Sequence, residues 1–279
     1  QTNGYANLQY EFSYKNNSIL KTGISYRHLH LSENISFSNN DLNRTYAGRY
    51  STVENIPGIF AENIVNIKGD KLTWITGIRA DHHNQFGWEL TPRTLLKYEV
   101  TENLNLRGSI GKGWRTANIF SENIGLLVSS RDIIFAESLN PEEAVNFGFN
   151  VIQKYKGSNV EGYVSIDLYR TNFQNQIFPD YDTDPTKAVI KNFTGKSVSN
   201  GVQVEVSGTF YNRFSAKFGY VFLDVYQMRN EGKNILPFNP RHRLHSAASF
   251  MPLIRKWHID ANVHWYGVQR LPDTKNNPV

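Results

Sequence analysis

Hydrophobic and polar residues alternate with a period of two along much of this chain. In one stretch, Val202, Val204 and Val206 alternate with Gln203 and Glu205. The same pattern recurs in the stretches 72–81, 160–169, 213–222 and 257–265. Because successive side chains of a β-strand point to opposite faces, the pattern predicts strands with one apolar face and one charged face.

About twelve strands are predicted from this alternation and from the turn residues between them. They are 5–15, 18–30, 57–68, 71–82, 91–99, 104–115, 142–154, 159–178, 188–210, 213–227, 241–251 and 256–268. No segment with helical periodicity is found. Tight connections, such as 16–17 and 211–212, alternate with mostly longer ones, such as 31–56 and 116–141. This rhythm places the tight turns at one end of the sheet, as in transmembrane β-barrels. The predicted fold class is therefore all-β, an antiparallel up-and-down transmembrane β-barrel with about twelve strands in this sequence.

Composition narrows the functional classes. The chain has 279 residues, of which 39% are hydrophobic, and no apolar run approaches the ~20 residues of a membrane-spanning helix. It has no cysteine, which excludes disulfides and thiolate metal sites. The formal net charge is +5, but the basic residues are dispersed among acidic ones. We therefore predict no nucleic-acid partner.

Nine short motifs follow one another between about residue 57 and residue 267. They are 91–93 (TPR), 106–109 (LRGS), 111–117 (GKGWRTA), 139–142 (LNPE), 146–148 (NFG), 201–205 (GVQVE), 220–224 (YVFLD), 240–243 (PRHR) and 265–267 (WYG). In this order and spacing they resemble the barrel domain of TonB-dependent outer-membrane receptors.

The resemblance implies a barrel of about 22 strands that encloses an N-terminal plug domain. We expect residues 1–279 to form one partial barrel domain, and the plug, about eight leading strands and about two closing strands to lie outside this sequence. The implied function is active import of a scarce ligand, such as a ferric siderophore or a cobalamin-like molecule, across the outer membrane of a Gram-negative bacterium. The implied partners are outer-membrane lipid, the plug and remaining strands, and the energy-coupling protein TonB, with no cofactor.

Ligand contacts are expected at the loop ends of strands. Trp114 and Arg115 end one predicted strand on that side, and they could hold an anionic chelate by stacking and paired hydrogen bonds. An ordinary place in the barrel wall or its aromatic girdle is the alternative interpretation. The other candidates are Arg131, His82, His83, Arg241 and His242.

A second set of charged residues occupies the polar positions of the strands and is predicted to face the lumen. This set is Arg79, Arg107, Asp167, Glu205, Lys217 and Asp260. Asp180, Asp182 and Asp184 alternate in one long connection but lack the glycine and glutamate of a calcium loop. We predict no metal site and no catalytic site.

Three other functions fit parts of the pattern. A passive porin would use the same charged face to line a water-filled channel. A soluble all-β glycan-binding module would bury its apolar face against a second layer of protein. An outer-membrane lipase would need a nucleophile motif, and none is present. The protein is therefore not predicted to be an enzyme.

Overall fold

One large antiparallel sheet dominates the computed structural model, which describes residues 1–15, 18–37, 44–67, 69, 71–230, 232–252 and 257–272. Its twelve long strands are β1 (Thr2–Tyr14), β2 (Ser18–Ile35), β3 (Gly48–Ile67), β4 (Leu72–His83), β5 (Gly87–Thr101), β6 (Leu104–Arg115), β8 (Glu142–Lys156), β9 (Val160–Gln174), β13 (Ser197–Phe210), β14 (Phe214–Arg229), β16 (His242–Phe250) and β17 (Ile259–Tyr266). Each pairs with its neighbours in this order, and short β15 (Gly232–Ile235) pairs beside β14. The prediction of about twelve up-and-down strands is confirmed.

The sheet is an open part of a barrel. Within the described residues, β1 pairs only with β2 and β17 pairs only with β16, so the two edges do not meet. The sheet is nevertheless curved, since Tyr5 on β1, Arg79 on β4 and Trp114 on β6 line one recess on the same face. A flat sheet would hold these strands too far apart for that, because adjacent strands lie about 4.8 Å apart.

Cross-strand register separates the residues into an apolar face and a polar face. One row of partners runs Trp74, Leu96, Gly108, Phe149, Leu168 and Val202 on the apolar face. The adjacent row runs Lys97, Arg107, Asn150, Asp167 and Gln203 on the polar face. A continuous register keeps the faces separate because a slip of one residue would exchange them.

The apolar face is exposed along the sheet. Leu8, Ile24 and Ile59 leave 70%, 57% and 57% of their surface accessible. In the described part of the chain no second layer of protein covers these side chains. This arrangement is that of a membrane barrel, whose apolar residues face hydrocarbon, and it differs from that of a soluble sandwich. No helix among the described residues is both long and apolar enough to cross a membrane.

The long connections fold together at the other end from the tight turns, into what we term the loop layer. It contains α1 (Ile119–Glu122), α2 (Ile124–Leu127), β7 (Asp132–Phe135), β10 (Gln176–Ile177), β11 (Lys187–Ile190) and β12 (Asn192–Phe193). The buried core of the layer comprises Tyr46, Ile119, Phe120, Leu126, Ile133, Ile177, Ala188 and Ile190. β7 and β11 pair in parallel, which joins the connection after β6 to the one after β9.

Several predicted boundaries differ from the structure. The predicted strand 188–210 is wrong as one element, because residues 187–190 pair with β7 in the loop layer and the sheet strand begins only at Ser197. The strand predicted at 57–68 begins nine residues earlier, at Gly48. The two four-residue helices were not predicted. The predicted turn at 16–17 and most of the one at 252–255 lie outside the described residues.

Candidate ligand-binding site

A recess lies where the polar face of the sheet meets the loop layer, and we term it the inner-rim recess. Its volume is about 300 Å³. Its lining consists of Tyr5, Arg27, Ile56, Arg79, Asp81, Trp114, Arg115 and Thr116. Three predicted residues, Trp114, Arg115 and Arg79, therefore meet at one place. The lining contains three guanidinium groups, one carboxylate and two aromatic rings. Each guanidinium is already paired with a carboxylate of the wall, so an anionic ligand with aromatic groups would contact the exposed guanidinium edges and the rings.

Trp114 contributes an aromatic wall to this recess. It lies one residue before the end of β6, above the last β5–β6 pair, Arg93 with Gly111. Its indole meets the His83 ring edge to face, with the centroids 5.9 Å apart. The contact orients the indole toward the recess, and a ligand role for Trp114 stays a prediction.

Arg115 lies beside the tryptophan and is held by two carboxylates. Its Nε donates to Glu142 at 2.6 Å, and its Nη1 donates to Glu122 at 2.9 Å. The side chain remains 58% exposed. The carboxylates fix the plane of the guanidinium, and its open side remains available to a ligand.

Arg79 and Asp81 form the floor of the recess. Nε of Arg79 donates to Asp81 at 2.7 Å, and an Nη donates to the hydroxyl of Ser25 at 2.7 Å. These residues lie on neighbouring positions of the polar face because they are two apart on β4 and Ser25 lies two strands away. The floor is thus preorganised without a bound ligand.

A buried carboxylate ties the recess to the sheet. Glu54 is 1% exposed and accepts hydrogen bonds from Arg27 and from the hydroxyl of Thr116. His83 is 2% exposed and its Nε2 lies 3.8 Å from the Glu54 carboxylate. His83 Nδ1 accepts from the backbone amides of Gln85 and Phe86 at 3.0 and 3.3 Å. Those bonds assign the proton of the neutral ring to Nε2.

The two remaining predicted histidine positions lie on the apolar face. His82 packs edge to face against the exposed Trp88, with the centroids 5.1 Å apart. His242 bonds the Tyr220 hydroxyl at 2.7 Å and lies beside the ring of Phe222. Adjacent strand residues point to opposite faces, so His82 and His83 do not share a site. Neither His82 nor His242 is included in the site that we propose.

Arg131 and Arg241 lie in or near the loop layer, apart from the recess. Arg131 donates to the carbonyl of Pro185 at 3.1 Å and lies 5.2 Å from the ring centre of Tyr181. Arg241 donates to Asp224 at 3.0 Å. Both arginines hold loop segments in place, and a ligand role for them stays a prediction.

The six residues predicted to face the lumen all occupy the polar face. Neighbouring groups in the wall pair with five of them. Examples are Glu205 with Lys217 at 2.9 Å, Asp167 with Asn150 at 2.7 Å and Asp260 with Ser249 at 2.5 Å. Since these charges are mostly compensated within the wall, the polar face is suited to contact another polar surface. Their lumenal role stays a prediction.

The acidic connection after β10 is organised by hydrogen bonds. Burial raises the pKa of Asp180, but hydrogen bonds from Thr183 and from backbone amides outweigh it and hold the pKa below its usual value. The hydroxyl and amide of Thr186 lower the pKa of Asp184 to about 2. Asp182 forms a paired salt bridge with Arg270, at 2.9 and 2.7 Å. Among the described residues, no three His, Asp or Glu side chains are grouped to hold a metal ion.

Sequence reasoning missed four polar residues of this region: Tyr5, Arg27, Glu54 and Asp81. Asp81 belongs to the alternating stretch 72–81 and is therefore predicted on the polar face, although it is not among the predicted site residues. Arg27 follows the alternation of its strand, so the same pattern could have placed it there. Glu54 was missed because the strand was predicted to begin at residue 57. Tyr5 gives no signal, because an aromatic residue on a predicted strand is normally assigned to the apolar face.

Comparison with known proteins agrees with this architecture. A family model described as TonB dependent receptor-like, beta-barrel matches residues 1–278. The ferric enterobactin receptor of Pseudomonas aeruginosa is 22% identical over 244 residues, which cover 79% of this chain and 32% of that protein. The chain thus spans about a third of the length of this relative.

Solved structures share the fold at low sequence identity. A crystal structure of a variant of the ferric enterobactin receptor from Pseudomonas aeruginosa matches with a TM-score of 0.68 and 18% identity, over 96% of this chain and 41% of that one. The siderophore receptor PirA from Acinetobacter baumannii matches with a TM-score of 0.68 and 14% identity, over 96% and 42%. A chain in the structure of the FpvAI–pyocin S2 complex matches with a TM-score of 0.62 and 16% identity, over 95% of this chain and 38% of that one.

The family match extends over nearly the whole chain, and the open twelve-strand sheet has an exposed apolar face and a polar face. On both grounds, this chain belongs to the TonB-dependent receptors and supplies part of their β-barrel.

Proposed function

We propose that this chain forms part of the wall and the loops of an outer-membrane receptor that imports a ferric siderophore with energy supplied through TonB. The observation that carries the proposal is the inner-rim recess, in which Trp114 and Arg115 face the same space as Arg27 and Arg79. Ferric siderophores are commonly anionic chelates, and guanidinium groups bind planar anionic oxygens in pairs.

The charges of the polar face support the proposal that a plug domain and further strands complete the receptor around this chain. These charges are mostly paired within the wall and require a wet or polar neighbour. In the proposal that neighbour is a plug domain, and additional strands pair with the free edges of β1 and β17 to close the wall. The intact receptor is located in the outer membrane of a Gram-negative bacterium, and TonB acts on the part that contains the plug. Family membership does not favour the porin or the glycan-binding module, and no observation favours a cobalamin-like ligand.

The test is uptake of radiolabelled ferric enterobactin by cells that express the intact receptor. We expect uptake to stop in a strain that lacks the inner-membrane energy complex, while binding to the cell surface persists. Undiminished uptake in that strain would overturn the import mechanism. If ferric enterobactin does not bind but another ferric chelate does, the other chelate is the substrate. The proposed import mechanism is not affected by that result.

The recess is tested by binding measurements on variants. Arg115→Ala should weaken binding about tenfold, the loss expected for one charge-assisted hydrogen bond. Trp114→Ala should weaken it further by removing the aromatic wall. Trp88→Ala is the matched control, because Trp88 is a tryptophan on the apolar face with 68% of its surface exposed. Equal losses in Trp114→Ala and Trp88→Ala would reject the recess as the binding site.

A further inference from the structure

A wide groove crosses the apolar face of the sheet, on the opposite side from the inner-rim recess. Its volume is about 930 Å³, and it is lined mainly by hydrophobic side chains. They include Trp74, Leu96, Ile110, Phe147, Phe149, Leu168 and Val202. The groove would open directly to the hydrocarbon of a membrane, so neither a siderophore nor the plug could reach it.

The groove exists because one row of side chains is interrupted. The row on the apolar face runs from Trp74 through Leu96 to Phe149 and Leu168, and Gly108 occupies the position between Leu96 and Phe149. A Cβ atom at Gly108 would meet no atom within 4 Å. Close packing inside the protein therefore does not require this glycine, which instead leaves space at the centre of the groove.

A cation lies at one end of the groove. Arg170 lines it and is exposed. Its Nε donates to the side-chain oxygen of Asn172 at 3.1 Å. Within the described residues, no carboxylate lies within salt-bridge distance of Arg170. Charged residues on a lipid-facing surface are costly unless they lie at its polar boundary or meet an opposite charge.

The position of Arg170 along β9 corresponds to that boundary. It lies ten residues from Val160, where β9 begins at a tight turn. With a rise of about 3.3 Å per residue and a strand tilt of about 40°, Arg170 lies roughly 25 Å from the turn end. That distance is about the height of the apolar band of an outer-membrane barrel. The guanidinium thus lies at the headgroup level on the side of the loop layer.

We propose that this groove is a specific binding site for a phosphorylated lipid of the outer leaflet that carries several acyl chains, the chemistry of lipid A. The acyl chains occupy the space over Gly108, and Arg170 binds a phosphate through paired hydrogen bonds. The amide groups of Asn172 and Asn200 border the same end of the sheet and can bond the polar headgroup. The proposal rests on the outer-membrane location proposed above, and it is independent of what the receptor transports.

The experiment measures lipid retention by the intact receptor, purified in detergent, stripped of lipid and then incubated with bisphosphorylated lipid A. Native mass spectrometry counts the lipids bound to each protein molecule. We expect one retained lipid A, and about tenfold weaker retention after Arg170→Gln, as for the loss of one charge-assisted hydrogen bond. Gly108→Phe should also weaken retention, because the ring occupies part of the space at the centre of the groove.

Matched controls separate the site from general effects. Arg213→Gln removes an exposed arginine at the turn end of the sheet, and Gly108→Ala adds only one methyl group in open space. Both should retain lipid A as the unmodified receptor does. Dephosphorylated lipid A should bind the unmodified receptor as weakly as lipid A binds Arg170→Gln.

Two results would overturn the proposal. One is unchanged retention in Arg170→Gln or in a folded Gly108→Phe variant. The other is equal retention of dephosphorylated lipid A or of phosphatidylethanolamine, which would make the groove a nonselective hydrocarbon surface. If Gly108→Phe does not fold, Arg170→Gln and the comparison of lipids still test whether the groove binds lipid A specifically. Because no siderophore is present in this assay, its failure is distinguishable from failure of the import proposal.

Discussion

Replacing the buried Glu54 with leucine should lower the free energy of unfolding by about 3 kcal/mol, because removal of one partner from a buried charge network leaves the others uncompensated. Glu54 is 1% exposed and joins β3 to Arg27 on β2 and to Thr116 after β6. It therefore anchors the first residue of a long loop segment to the wall of the sheet. Leucine has a similar volume and cannot accept either hydrogen bond.

The magnitude follows from the exposure of each partner. The bond from Thr116 to a buried carboxylate contributes about 2 kcal/mol, as do other hydrogen bonds to charged groups. Arg27 is 45% exposed, so water replaces much of its interaction and its contribution falls to about 1 kcal/mol. Nε2 of buried His83 lies 3.8 Å from the Glu54 carboxylate, too far for a hydrogen bond, and contributes nothing to this magnitude.

The assay is equilibrium unfolding of the intact receptor by urea in detergent, followed by tryptophan fluorescence. Glu62→Leu is the matched control on the same strand and the same face, because Glu62 also pairs with an arginine, Arg93. The Arg93 side chain is 68% exposed, so this pair should contribute less than about 1 kcal/mol.

A Glu54→Leu variant that unfolds within about 0.5 kcal/mol of the unmodified receptor would refute the reasoning. Equal destabilisation by Glu54→Leu and Glu62→Leu would refute it as well, because burial would then not determine the cost. If Glu54→Leu destabilises as expected, ferric-ligand binding should also weaken, since Thr116 lines the inner-rim recess.

Three further predictions concern other parts of the molecule. Ile190→Ala should destabilise the loop layer by about 2–4 kcal/mol, because Ile190 is fully buried. Amide hydrogen exchange at 132–135 and 187–190 should therefore accelerate, and unchanged exchange would contradict this. The turn around Asp184 should remain ordered above pH 3.8 and loosen as the pH falls through about 2, because protonation of Asp184 weakens its hydrogen bonds to Thr186. NMR of the turn amides across this pH range is the check, and a transition near pH 5 would be inconsistent with the prediction. Gly162→Ala should destabilise the sheet by about 1–3 kcal/mol, because a new Cβ would lie 2.0 Å from a carbonyl oxygen of β13, whereas Gly108→Ala should be neutral in the same urea assay.

The inner-rim recess shows which parts of a site a sequence can predict. Trp114 and Arg115 were predicted from their place at the end of a strand, and Arg79 was predicted from its place in the alternation. That these three residues share one recess with Tyr5 depends on the curvature of the sheet, which brings β1, β4 and β6 to one space. Alternation specifies the face of a strand and contains no information on how far the sheet curls.

The adjacent histidines show the opposite case. His82 and His83 are equivalent by residue type, but one packs against exposed Trp88 and the other is buried beside Glu54. The parity of β4 separates them, and the register with β5 decides which one lies on the polar face. A prediction made without pairing partners could not distinguish their roles.

The loop layer was beyond sequence reasoning for a related reason. Residues 187–190 have the apolar character of a sheet strand, and their partner proved to be β7 in another long connection. Nothing local indicates such a partner, because pairing between loops depends on the spatial order of the strands that carry them.

The amino-acid sequence by itself determined the strands, their two faces and the alternation of tight turns with mostly longer connections, because each of these follows from side-chain chemistry at neighbouring positions. The tertiary structure alone decided the packed loop layer, the buried network around Glu54, the inner-rim recess and the groove over Gly108. All four depend on contacts between residues that are distant in the chain, and those contacts form only once register and curvature have placed the strands beside one another.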